Sequence, residues 1–184
     1  MPYDFHKRYN EEGYIFDVIA PRFSKQGSLS AYDLFFIIRW KSHRAVTKMA
    51  RRLRGVAGSD LEQAARTLTA ELHQAGTPEE KFRVISDKWG FRLPMATAVL
   101  TALYKDDFTV YDVRASAMCR LKMSSPKDIG ERWIEYQRFK AAVERTAPSD
   151  LSLRDKDRFL WALSRHQDLE ADVRRGFRKK AGPK

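Results

Sequence analysis

The chain has 184 residues, 43% of them hydrophobic and 12% aromatic, with 35 Lys and Arg against 24 Asp and Glu for a formal charge of +11. That length suits one domain with a real core, and the charge favours a polyanionic partner, nucleic acid ahead of an anionic membrane surface. A single cysteine, Cys119, excludes an intramolecular disulfide and a cysteine-rich zinc or iron–sulfur site.

His6, His43, His73 and His166 stand without metal-ligand spacing, so no metal and no cofactor are expected. No apolar run reaches the roughly 18 residues of a membrane span. The start MPYDFHKRY has no apolar signal core. The expected compartment is the cytoplasm, with the nucleoid inside it.

In chain order, residues 1–29 are the hardest to read and are expected to pack on the domain as an N-terminal segment. Ser30 is a plausible cap for a helix over 32–40, with Leu34, Phe35, Ile37 and Ile38 on a broad apolar face. Lys41, Ser42 and His43 form a polar corner. A second helix over 45–53 turns Val46, Met49, Ala50 and Leu53 inward. Gly58 breaks the pattern, and Ser59 and Glu62 have capping-box spacing for a helix to about Gln74. Thr77-Pro78-Glu79-Glu80 is another start signal, with Thr as cap and Pro at the first helical position. That helix ends near Trp89-Gly90.

The stretch from Met95 to Leu103 is apolar nearly all round, which predicts a central helix. Phe108-Thr109-Val110-Tyr111 is β-prone but too short for a sheet without partners. Asp112 caps a helix over 113–121. A long helix begins near Pro126 to Asp128 and stops before Pro148, and a last one covers 153–165. Phe35, Phe82, Trp133, Phe139 and Trp161 fall at helical spacing and read as core, as does Cys119 on its apolar face. The fold expected is all-α: a compact helical domain over 30–170, followed by a basic tail over 171–184.

Three places could carry chemistry. The turn from Trp89 to Pro94 joins two helices through Gly90. Such a hairpin can aim backbone N–H groups at a phosphate, with the positive end of the next helix behind them. Arg92, Lys88 and Lys105 would add charge, and Leu93 and Pro94 open the helix; equally, the turn can be an ordinary helix corner. Asp112 stands 18 residues after Pro94, one helix and one return loop later. It can be a plain cap, or a carboxylate at a cleft wall that stabilises a cationic sugar or activates water. The corner Arg39-Trp40-Lys41-Ser42-His43-Arg44 mixes base-stacking and phosphate-binding groups. Alternatively, Trp40 closes the core and the charges are solvated.

GFRLPMATAVL followed by FTVYDVRASAMCRL resembles the helix-hairpin-helix DNA glycosylase superfamily, in which a hairpin and an apolar helix precede a segment holding the catalytic aspartate. YDLFFIIRWKSHRAVTKMARRL is similar to that family's early helix pair, whose corner enters the duplex. The resemblance covers about residues 30 to 145. It implies Asp112 as the catalytic group, with Gly90, Arg92, Leu93, Pro94, Lys88, Arg39, Trp40, Lys41, Ser42, Arg44 and Arg114 facing double-stranded DNA. Arg92 stands where the family has its second hairpin glycine. Pro94 stands where bifunctional members keep a Schiff-base lysine, so the resemblance implies a hydrolase without lyase activity through that lysine. No four-cysteine cluster follows, so no iron–sulfur cluster is implied, and no membrane partner. The function expected is cleavage of the N-glycosidic bond of a flipped, modified base. A non-catalytic DNA-binding module and a helical protein-interaction domain are the alternatives.

Overall fold

The computed structural model describes residues 8–58 and 60–177, and among these there are helices and no strand. The first is a bent helix: α1 (Glu11–Tyr14), a π-helical turn (Ile15–Ile19) and α2 (Ala20–Gln26) run on without a break. It sends Ile15, Ile19 and Phe23 into the core. Gly27, in the left-handed conformation at φ 72°, ends it.

Ser30 caps α3 (Ala31–Lys41) by accepting from the Asp33 N–H at 3.2 Å. A 3-10 turn (His43–Ala45) leads into α4 (Val46–Ala57). Asp60 is the observed cap of α5 (Leu61–Gln74), accepting from the Glu62 and Gln63 N–H groups; Ser59 lies outside the described residues. At α6 (Pro78–Arg83) the capping box between Thr77 and Glu80 is complete. Its backbone hydrogen bonds with Thr77 and Gly76 hold the Glu80 carboxyl below its ordinary value. A second π-helical turn (Val84–Lys88) carries that helix to Trp89.

Then follow α7 (Leu93–Leu103), α8 (Val113–Met118), α9 (Ile129–Thr146) and α10 (Leu153–Arg174). In α7 every residue from Met95 to Ala102 is buried, the central position that its apolar surface predicts. The helices α2, α3 and α6 all pack on it. α9 begins at the end of the Pro126 to Asp128 stretch where the sequence places its start, with Asp128 as the cap. α10 is longer than the sequence pattern indicates, reaching Arg174, and residues 178–184 of the basic tail lie outside the described residues. Among the described residues, no helix is long and apolar enough to cross a membrane.

The β-prone run is not a strand. Phe108, Thr109, Val110 and Tyr111 form a buried extended segment in which three N–H groups are satisfied by side chains instead of a neighbouring strand. The Thr109 N–H donates to Tyr136 Oη at 2.9 Å, that of Val110 to Asp157 Oδ2 at 3.1 Å, and that of Tyr111 to Thr97 Oγ1 at 2.9 Å. Three helices, α9, α10 and α7, thus fix one segment, and Asp112 is its next residue.

Candidate functional site

Asp112 sits where this segment turns into α8. Its Oδ1 accepts from the Arg114 N–H at 2.9 Å, so it is an N-cap. Its Oδ2 lies 2.6 Å from Lys41 Nζ, at the end of α3. Lys41 and Asp112 are largely covered, at 17% and 19% side-chain exposure, and both line a cavity of about 440 Å³. The cavity opens between the α3 end, the segment before α8 and the first turns of α10. It is lined by Trp40, Val110, Ala115, Trp161 and Ala162 among apolar groups, and by Glu12, Arg154, Asp157 and Arg158 among charged ones.

Its floor is an ion-pair network. The Arg154 guanidinium pairs with both Asp157 and Glu12, and Arg158 Nε meets Glu12 at 3.0 Å. Arg154 also lies over two rings, 5.1 Å from Phe16 and 5.4 Å from Trp40, and those rings meet edge to face. Asp157 Oδ2 receives the Thr109 hydroxyl as well as the Val110 N–H. Burial pushes the Asp157 carboxyl up from its ordinary value, against the opposing pull of Arg154 and these two donors.

Trp40 is therefore both core and cavity wall: partly buried, wedged beside Phe16 and under Arg154, with part of its surface on the cavity. Trp161 is a correction to the sequence reading. It is 46% exposed at the cavity, with the Arg165 guanidinium 5.9 Å from the ring centre. Phe159, on the same helix, is likewise exposed. The other aromatics expected in the core are there: Phe82 and Phe139 are buried, the partly buried Phe35 and Trp133 pack against the core, and Trp133 meets the Phe82 ring. Cys119 also packs on the core, partly buried.

The turn before α7 is a separate place on the surface. Gly90 has φ 64°, a conformation that favours glycine. A Cβ there would come within 2.6 Å of Arg52 Nη1, so the Arg52 side chain reaches from α4 to the turn. Arg92 is exposed just before α7, Leu93 is buried, and Pro94 is partly buried in the first helical turn. Lys88 is not a free cation: its Nζ lies 2.6 Å from Glu71, which also accepts from the Trp89 indole N–H at 2.9 Å. No residue of the turn lines the cavity. The link between them is covalent and hydrogen-bonded: Thr97 donates to the Leu93 carbonyl at 2.8 Å and accepts from Tyr111, the neighbour of Asp112.

From Arg39 to Arg54 the sequence holds seven cations (Arg39, Lys41, Arg44, Lys48, Arg51, Arg52 and Arg54) and no acid. Lys41 pairs with Asp112, and Arg39 Nε donates to His43 at 3.3 Å. Among the described residues, Arg44, Lys48, Arg51, Arg52, Arg54 and Arg92 make no ion pair with a carboxylate. Ser42 closes α3, its N–H donating to the Ile38 carbonyl. Arg114 turns away from this surface toward α10, where it binds Asp168 and Ser164.

The structure thus brings Asp112, Lys41 and Trp40 to one cavity, and the side chain of Arg52, from α4, against Gly90. Glu12, Arg154, Asp157, Arg158 and Trp161 also line the cavity and are not among the site residues that the sequence suggests. Of these, Trp161 alone carries a local signal, an aromatic flanked by Arg158 and Arg165. Among the described residues there is no group of three or more His, Cys, Asp and Glu side chains placed to hold a metal ion. Comparison with family models, with curated proteins and with solved structures gives no match for this chain.

Proposed function

We propose that the protein binds duplex DNA on the basic surface of α4 and the Gly90 turn, draws one nucleotide into the cavity, and hydrolyses its N-glycosidic bond. The observation that carries this reading is the position of Asp112. It is a largely covered carboxylate on the wall of an aromatic-lined cavity of about 440 Å³, one residue from a segment tied to the start of α7. The adjoining corner and helix offer cations without acids, as phosphate binding requires.

In this mechanism phosphates are held by Arg92, Arg52, Arg44, Lys48 and Arg51. The unpaired base enters between the indoles of Trp40 and Trp161. The Asp112 carboxylate faces the sugar and stabilises the positive charge that develops as the base leaves, or orients the attacking water. Its N-cap bond to Arg114 fixes one oxygen and leaves the other on the cavity side, toward Lys41.

The test is Asp112→Asn, which keeps the shape and the cap but removes the charge. The variant is expected to fold and bind DNA normally, and to release base from a susceptible modified duplex about a hundredfold or more slowly. A second reading, a DNA-binding module without catalysis, is favoured by one observation: both Asp112 oxygens already have partners. It requires wild type and Asp112→Asn to be equally inactive on a panel of modified duplexes and equally tight in binding.

A further inference from the structure

We propose that two copies of this chain associate through the outer face of α10, as an antiparallel pair of helices with two-fold symmetry. The proposal does not use the DNA reading and stands or falls without it.

α10 has an inner and an outer face. On the inner one Asp157 and Leu160 are buried, and Ser164 and Asp168 accept from Arg114 of α8. A second series, Phe159, Ala162, His166, Leu169 and Val173, runs at steps of three and four residues. At about 100° per residue it lies on the opposite side of the helix. All five of its residues are exposed, Phe159 at 39%, Leu169 at 57% and Val173 at 59%. Of the eleven large hydrophobic side chains exposed among the described residues, five belong to α10 or to Phe177 just beyond its end. The open apolar surface is therefore concentrated on this helix and not scattered singly. A helix whose outer neighbour is water carries polar residues there.

The series repeats every seven residues, with Phe159, His166 and Val173 in one position and Ala162 and Leu169 in the other, the pattern of a helix that packs along another helix. The occupant is a second α10, because this face complements itself when reversed. In an antiparallel pair the two positions meet across the seam. One register sets Phe159 over Gly176 of the second copy, Ala162 over its Val173 and His166 over its Leu169, and two-fold symmetry repeats each contact the other way. Large meets small at the ends: a Cβ at Gly176 would meet nothing within 4 Å, which leaves space for the Phe159 ring. The charges agree as well. The same register brings Arg165 and Asp172 of the second copy to one flank, each side chain leaning toward its own N-terminus and so toward the other. Asp172 already pairs with Arg175 at 2.5 Å, and a carboxylate has lone pairs for both. His166 is the polar residue of the seam, and a polar side chain there fixes register at a cost in stability. Ala162 also lines the cavity, so the second copy's Val173 would stand at the cavity rim.

The experiment is sedimentation equilibrium of the full chain over a range of concentrations, without DNA. The mass is expected to rise from 21.4 kDa toward twice that value. Leu169→Asp, a change on the exposed face, is expected to hold the chain at the monomer mass with its thermal unfolding at low concentration unaltered. The direction of pairing is read from Ala162→Cys and Val173→Cys, each combined with Cys119→Ser and oxidised alone and as a mixture. The antiparallel pair requires a disulfide-linked dimer in the mixture and none from either variant alone, whereas a link formed by Ala162→Cys alone marks a parallel pair and overturns the proposal. A chain that stays monomeric at every concentration overturns it too, and leaves the stripe to a helix of another protein. A dimer that survives Leu169→Asp places the association elsewhere and overturns it as well. None of these results bears on the DNA reading.

Discussion

The two tryptophans of the cavity divide its work. Trp40 is held by Phe16 on one side and Arg154 on another, so its removal leaves a hole and strips a buried guanidinium of a ring. Trp40→Ala is expected to cost about 2–4 kcal/mol, a fall in Tm of about 4–16 °C for a chain of this size, read by thermal circular dichroism. Trp161 is half-exposed, and Trp161→Ala is expected to change stability by no more than about 0.5 kcal/mol. On the DNA reading it costs about 1–3 kcal/mol in affinity for a duplex with an unpaired base, and less for a perfect duplex, in a titration of both. Gly90→Ala brings two penalties together. The left-handed φ of 64° costs an L-residue about 1 kcal/mol, and the new methyl displaces Arg52. A modest drop in Tm together with weaker DNA binding is expected, since the displaced group is one of the proposed phosphate ligands.

At the level of elements, the starts were legible and the neighbours were not. Ser30, Thr77 and Asp112 cap as their sequence context indicates, because a cap is a local bond over two or three residues. The centrality of α7 was legible because burial on all sides leaves no polar face. The first helix was obscured by Gly13 and Pro21 and by a π-helical turn that shifts its apolar spacing. Trp161 was misplaced because helical spacing says that one face is apolar, not how far along a 22-residue helix a partner covers it. The Lys41–Asp112 pair and the Arg154 network join distant parts of the chain, and no periodicity reports such pairs. The network also makes a prediction for α10. Asp157 fastens it to the segment before Asp112 and compensates Arg154. Asp157→Ala is expected to destabilise by about 3–5 kcal/mol, since it leaves a buried charge with one partner fewer, as measured by denaturant unfolding.

For the molecule as a whole, a charge of +11 is distributed unevenly. Seven cations without an acid follow one another from Arg39 to Arg54, and Arg52 reaches the Gly90 turn, so the phosphate-binding reading predicts a steep loss of DNA affinity with added salt. Arg92→Ala, Lys48→Ala and Arg51→Ala are each expected to flatten the log–log salt slope by about 1 and to weaken binding equally on all sequences. Salt titrations of the variants on two unrelated duplexes check this. An unchanged slope for all three would remove the basic surface from the interface.

The π-helical turn over Val84–Lys88 has a consequence for how this chain can vary. A π turn holds one residue more than an α turn, and each residue of a helix advances the chain by about 100° around the axis. The Trp89 N–H bonds the Val84 carbonyl, five residues back, so the extra residue sets the direction in which the Gly90 turn leaves the helix. Substitutions within the turn keep that direction, whereas loss of a single residue, such as the exposed Asp87, would restore an α turn and swing Trp89 off the core. The aim of the basic turn is therefore encoded in chain length, and divergent copies of this gene would be expected to hold the count between Pro78 and Leu93 more strictly than the letters.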